Sequence, residues 1–203
     1  MEDINVQNDY ENEIKIRERI LQKIREKIAV TPEERLWLVT HPIYNERFGK
    51  EVFSTVIERI EPNEWYLLRI KIEKIDYSRR IIPIIEVPAG KGKIITDLKL
   101  YDVDLRPTNK KEVKMLGIEI DTSCTEYTVR YISDLGLLTV GYECDFFDSF
   151  QNTVKRESSF SDGYNFAIKR KQIDEQTIEY FCKSPVSDNF NALVFTLRAE
   201  KCN

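Results

Sequence analysis

His41 is the only histidine in the chain, so the first chemistry to weigh is a thiolate paired with that imidazole as general base. The candidate thiols are Cys124, Cys144, Cys182 and Cys202, and none stands closer than 20 residues to the next. Such partners can meet in space. Here no cysteine lies in a nucleophile context, and His41 precedes Pro42, where a capping or loop role is the simpler reading. A structural zinc site shows ligands paired at about two to four residues, a spacing these cysteines lack, so no metal site is expected and the thiols read as reduced, packed side chains. Asp97, Asp102 and Asp104 offer carboxylates on one stretch. Only Asp102 and Asp104 share a face at strand period, and two carboxylates fall short of the about six to eight oxygens calcium takes.

The run Ala89-Gly90-Lys91-Gly92-Lys93 combines backbone freedom with positive charge, as a phosphate loop does. It lacks the longer glycine spacing and the following Ser or Thr, and Ile94-Ile95 lead into a strand, so it reads as a hairpin tip. No cofactor is expected. Basic pairs at Arg79-Arg80, Lys110-Lys111 and Lys155-Arg156, with Lys169-Arg170-Lys171, are scattered in a chain whose 31 Lys and Arg are outnumbered by 35 Asp and Glu. A net charge of −4 disfavours nucleic acid as a partner. Ten Tyr, ten Phe and two Trp are better suited to protein recognition, since they bring contact area at low entropic cost. The binding residues expected on this ground are Arg69, Lys71 and Glu73 on the wet face of one strand, and Phe147 and Phe150 beside a polar connection.

The elements that would position these residues follow from periodicity. After a frayed tail at residues 1–11, Ile14, Ile20, Leu21, Ile24 and Ile28 recur at helical spacing, which predicts an amphipathic helix of roughly four turns. Its stripe is short for a coiled coil, so packing on the same chain is the expectation and pairing with a second copy the alternative. Thr31-Pro32-Glu33-Glu34 joins a hydroxyl N-cap, an N1 proline and a glutamate that closes a capping box, so a second helix starts there and ends near Thr40. From residue 51 the chain reads as strands. Trp65 to Glu73 alternates, Ile81 to Val87 is apolar nearly throughout, and residues 94–105 follow the glycine turn, so these three predict a meander. Further strands are expected at 113–120, 126–132, 137–146, 164–173, 177–182 and 192–199, with hairpins 126–132/137–146 and 164–173/177–182. Residues 148–163 read as a flexible connection, and Cys144 and Cys182 fall on inward faces.

The fold class expected is α+β: two N-terminal helices, then a mainly antiparallel sheet of about eight to ten strands curled into a sandwich or open barrel. Residues 1–50 form the tail and helical segment and residues 51–203 the β-rich body, within one structural domain. No apolar run approaches the roughly 20 residues of a membrane helix, and the acidic start at Glu2-Asp3 is unlike a secretory signal, so a cytoplasmic location is expected. The expected function is a soluble, non-catalytic protein-binding module, and in composition the chain is similar to the small acidic immunity partners of bacterial toxins. The alternative is a small-molecule-binding protein or enzyme with a pocket inside the curled sheet.

Overall fold

In the computed structural model the residues described are 3–49, 51–76, 81–88, 92–95, 100–102, 115–118, 125–148, 151–159, 165–184 and 189–202. The helices are α1 (Asp3–Arg25) and α2 (Pro32–Thr40). The strands are β1 (Ile43–Tyr44), β2 (Val52–Arg59), β3 (Trp65–Ile75), β4 (Ile81–Glu86), β5 (Gly92–Ile95), β6 (Leu100–Asp102), β7 (Met115–Ile118), β8 (Glu126–Ser133), β9 (Leu137–Asp148), β10 (Thr153–Ser158), β11 (Ile168–Gln172), β12 (Thr177–Cys182) and β13 (Leu193–Lys201).

α1 begins at Asp3, well inside the expected tail, and nothing in residues 3–11 breaks a helix, since neither Gly nor Pro occurs there. The helix closes on Lys27, whose φ of 57° lets the Ile28 N–H reach the Lys23 carbonyl at 2.8 Å. α2 starts as its sequence requires. Thr31 Oγ1 accepts from the Glu34 N–H at 3.2 Å while a Glu34 carboxylate oxygen accepts from the Thr31 N–H at 3.1 Å, an arrangement that stabilises a helix start by about 1 kcal/mol. The Arg17 guanidinium caps the other end, donating to the carbonyls of Leu38 (3.2 Å), His41 (2.9 Å) and Pro42 (3.3 Å) and lying 5.5 Å from the Trp37 ring. Lys23 pairs with Glu34 at 2.5 Å, and Tyr44 donates to Glu13 at 3.1 Å. α1 is thereby docked in cis.

The strands form one antiparallel sheet in the order β5-β8-β3-β13-β12-β11-β2-β9-β4-β7-β6, with β1 added to β2 and β10 to β9. It curls into an open barrel, and the inward rows of β3, β8, β12 and β13 meet those of β2, β4 and β9 in one apolar cluster. Tyr66, Leu68, Ile70 and Ile72 of β3 are all buried there, as their alternation predicts. Tyr131, Tyr142, Tyr180, Phe166 and Phe195 fill the interior. Their hydroxyls are satisfied: Tyr131 donates to the Leu137 carbonyl at 2.6 Å, and Tyr142 donates to the Lys183 carbonyl while accepting from the Ala167 N–H at 3.1 Å.

Three expectations about the strands are corrected. The meander does not form, because β3 pairs with β13 and β8 whereas β4 pairs with β9 and β7. β4 is buried on both faces from Ile81 to Ile85, so it belongs between two strands in the interior and not beside the half-wet β3. β8 and β9 are likewise consecutive but unpaired. Their turn is a corner, closed by the Gly136 N–H on the Ser133 carbonyl (3.2 Å) and the Leu137 N–H on Ser133 Oγ (3.1 Å), that passes the chain across the core. Gly136 has φ 62°, and a Cβ there would lie 2.6 Å from the Ile60 carbonyl oxygen. Residues 148–163 contain β10, which pairs with β9 from Thr153 to Ser158, so this stretch is no open connection. The hairpin β11–β12 forms as expected, with Asp174 Oδ1 accepting from the N–H groups of Gln176 (2.8 Å) and Thr177 (2.9 Å).

Glu86 ends β4 with its carboxyl largely buried, which pushes its pKa up to about 7. The folded state therefore prefers the neutral acid. Its contribution is complete below the unfolded carboxyl range and is lost as pH rises through about 7, a change on the order of 3 kcal/mol. Glu86→Gln is expected to flatten that part of the pH profile and to be the more stable protein at pH above 7, read from urea midpoints of both proteins across the neutral range. Parallel profiles would contradict a buried Glu86 carboxyl.

Candidate functional site

β2 lies beside β11 through only two positions, Phe53 with Ile168 and Val52 with Lys169. Beyond them β2 joins β9 from Val56 to Arg59, while β11 continues along β12. No further rung joins the two strands, and Glu58 of β2 meets Arg170 of β11 through side chains alone. A cleft of about 380 Å³ occupies the gap, its lining including Ile60, Leu138, Ile178, Leu197 and Ala199 with Tyr66, Arg170 and Gln172. Leu138 and Leu197 are core residues, so the cleft rests on an apolar base.

Glu58 stands at its inner wall, only 8% exposed, because it shares the inward phase of β2 with Val56. Arg170 holds both carboxylate oxygens, Nε to Oε1 at 2.7 Å and Nη2 to Oε2 at 3.0 Å, and the Tyr180 hydroxyl donates to Oε1 at 2.9 Å. Arg170 and Tyr180 are register partners on neighbouring strands, which is why both reach one carboxylate. The bond to Glu58 raises the Arg170 pKa, and burial, reinforced by the Glu58 charge, raises that of Tyr180 well above its ordinary value. Arg170 Nη2 also donates to Gln172 at 2.7 Å, whereas its Nη1 takes no part in these bonds. On the rim Lys201 pairs with Glu61 (2.8 Å) and Glu64 (3.2 Å). Arg59 and Glu175 make no ion pair among the described residues. Ile60 and Tyr66 are placed by the bond between the Ile60 N–H and the Gly136 carbonyl (2.9 Å) and by the Glu61 N–H donating to the Tyr66 hydroxyl (3.1 Å).

The residues singled out from sequence lie elsewhere. Arg69, Lys71 and Glu73 do share the outer face of β3, but their charges are matched locally: Arg69 bonds Glu200 at 3.3 Å, Lys71 bonds Glu73 at 2.8 Å, and Arg198 across from Arg69 bonds Glu200 at 2.7 Å. Phe147 pairs through its backbone with Val154 of β10, and Phe150 lies outside the described residues, as do Cys124, Asp97 and Asp104. His41 ends α2, stacked on Trp37 at 4.2 Å with Nδ1 3.0 Å from the Trp37 carbonyl, so the contacts of its ring are with its own helix and include neither buried thiol. Cys144 and Cys182 are buried as their alternation predicted, and burial pushes the Cys182 thiol pKa well up, away from thiolate chemistry. The Glu58–Arg170 pair escaped sequence reasoning because 112 residues separate its members. The signal present was a charge of each sign at an inward position of a strand.

The fold and the cleft define an α+β protein with an open antiparallel barrel, a packed apolar interior and a cleft bordered by residues 58–61 and 170–176. Comparison with known proteins returns no matching family model, no matching curated protein and no matching solved structure. Among the described residues no helix is long and apolar enough to cross a membrane.

Proposed function

We propose that this chain is a non-catalytic binding protein that docks an extended, partly apolar segment of another protein in the cleft where β2 and β11 part. The observation that carries this reading is the seam itself, two strand edges that separate after two paired positions over an apolar base. An extended segment uses both features, main-chain amides along strand edges and an apolar side chain in a pocket. The charges of the lining favour an uncharged segment, since Arg59, Arg170 and Lys201 are balanced by Glu58, Glu61 and Glu175. A polyanion would meet three carboxylates. Binding in preference to turnover is supported by Glu58, the buried carboxylate of the cleft, which three hydrogen bonds already hold. An inhibitory or immunity-type pairing is one form such docking takes.

A free small molecule of the same uncharged character is the second reading, favoured by the volume of about 380 Å³, within the roughly 300 to 1,000 Å³ of ligand pockets. Amide chemical shifts of the full chain, titrated with blocked apolar dipeptides and separately with small uncharged aromatics, distinguish the two. Dipeptides are expected to move residues 58–61, 170–176 and 199–201, and Ala199→Trp, which fills the cleft, is expected to abolish the shifts. Response to the aromatics alone would favour the second reading. Silence toward both would overturn the proposal.

A further inference from the structure

One face of α1 is spent on the same chain. Ile20 is buried, and Arg17 and Lys23 on either side of it reach α2. Leu21, Ile24 and Ile28 nevertheless remain 39%, 49% and 51% exposed. At about 100° per residue Ile14 and Leu21 fall in one line along α1 with Ile24 beside it, and Ile28 follows just past the helix end. Isolated exposed apolar residues are ordinary, but a row along one helix marks a contact surface.

The charges beside the row identify what covers it. Glu11, Glu18 and Arg25 recur at intervals of seven on one flank, all exposed, so the flank is acidic toward the helix start and basic toward its end. The opposite flank is where α2 lies. We infer that the occupant is a second copy of this chain, packed with α1 antiparallel to α1 about a two-fold axis near Leu21. An antiparallel pair sets like flanks together, so Glu18 of each copy meets Arg25 of the other, twice by symmetry, while Ile14 approaches the partner's Ile28. A parallel pair would press this flank against the one α2 covers. The shortness of the apolar row is compatible with this contact because α1 is already held as a helix by α2 and β1.

Sedimentation equilibrium of the full chain over a dilution series tests the inference, with far-UV circular dichroism confirming that each variant is folded. The wild type is expected to dimerise, and Ile24→Glu to weaken the dimer by about a hundredfold, since it acts twice at the centre of the contact. At low salt Glu18→Arg and Arg25→Glu are each expected to weaken it about threefold to tenfold, and the double variant to recover wild-type affinity. A wild type that stays monomeric overturns the inference, as does a dimer indifferent to Ile24→Glu. A double reversal weaker than either single change overturns the antiparallel arrangement.

Discussion

Glu58→Ala is expected to destabilise the folded chain by about 2 to 3 kcal/mol, although it removes only one side chain from the wall of a cleft. The loss comes from what the carboxylate leaves behind. Tyr180 is fully buried, and without Glu58 its hydroxyl has no acceptor, a penalty of about 1 to 3 kcal/mol for an unsatisfied buried donor. Arg170 loses both of its bonds to Glu58 and keeps only Gln172. The Arg170 side chain is 33% exposed, so water compensates part of that loss and the total stays below the roughly 3 to 5 kcal/mol of a fully buried pair. Urea unfolding monitored by tryptophan fluorescence reads the effect as a lower midpoint at unchanged slope. Replacing the whole network, Glu58→Leu and Arg170→Leu with Tyr180→Phe, is expected to cost less than Glu58→Ala alone, because neither a charge nor the buried hydroxyl is stranded. If Glu58→Ala lies within about 0.5 kcal/mol of the wild type, the three-bond network does not exist in solution.

Phe195→Ala should have the largest effect of any single change considered, about 3 to 5 kcal/mol. Phe195 is fully buried on β13, which runs between β3 and β12 near the middle of the sheet, and its ring stacks on Tyr180 with centroids 4.9 Å apart and planes 23° from parallel. Truncation opens a void lined by strands whose backbones are tied into ladders on both sides, so they cannot close on it. For a chain of this length the change corresponds to a melting temperature lower by on the order of 10 °C, measured by scanning calorimetry. Phe195→Leu, which leaves a smaller void, is expected to lose less than half as much. Thr196→Ala, one residue along and facing the other way, should fall within about 0.5 kcal/mol of the wild type. Equal melting of Phe195→Ala and Thr196→Ala would mean that the sheet does not close over this core.

Local signals in this chain were reliable where one segment supplies all the partners. Thr31, Pro32 and Glu34 specify the start of α2 because cap, proline and box partner lie within four residues. Asp174 specifies the β11–β12 hairpin for the same reason, its carboxylate reaching N–H groups two and three residues on. Alternation told which face each strand buries, so Tyr66, Leu68, Ile70, Ile72, Cys144 and Cys182 are all inside. It could not tell which strand stands next to which. Backbone ladders are generic, so β3 is as able to pair with β4 as with β13, and the choice falls to how well the inward rows fill a common interior.

What the sequence by itself determined is therefore the two helices, most of the strands, the inward face of the alternating ones and the α+β class, all of which depend on periodicity and caps within a few residues. Only the tertiary structure decided the order of the strands, the corner at Gly136 that separates β8 from β9, and the parting of β2 from β11. The cleft follows from that parting. Glu58, Arg170 and Tyr180 are each unremarkable in their own strands, and they become a site because packing of the whole core brings residues more than a hundred positions apart to hydrogen-bonding distance.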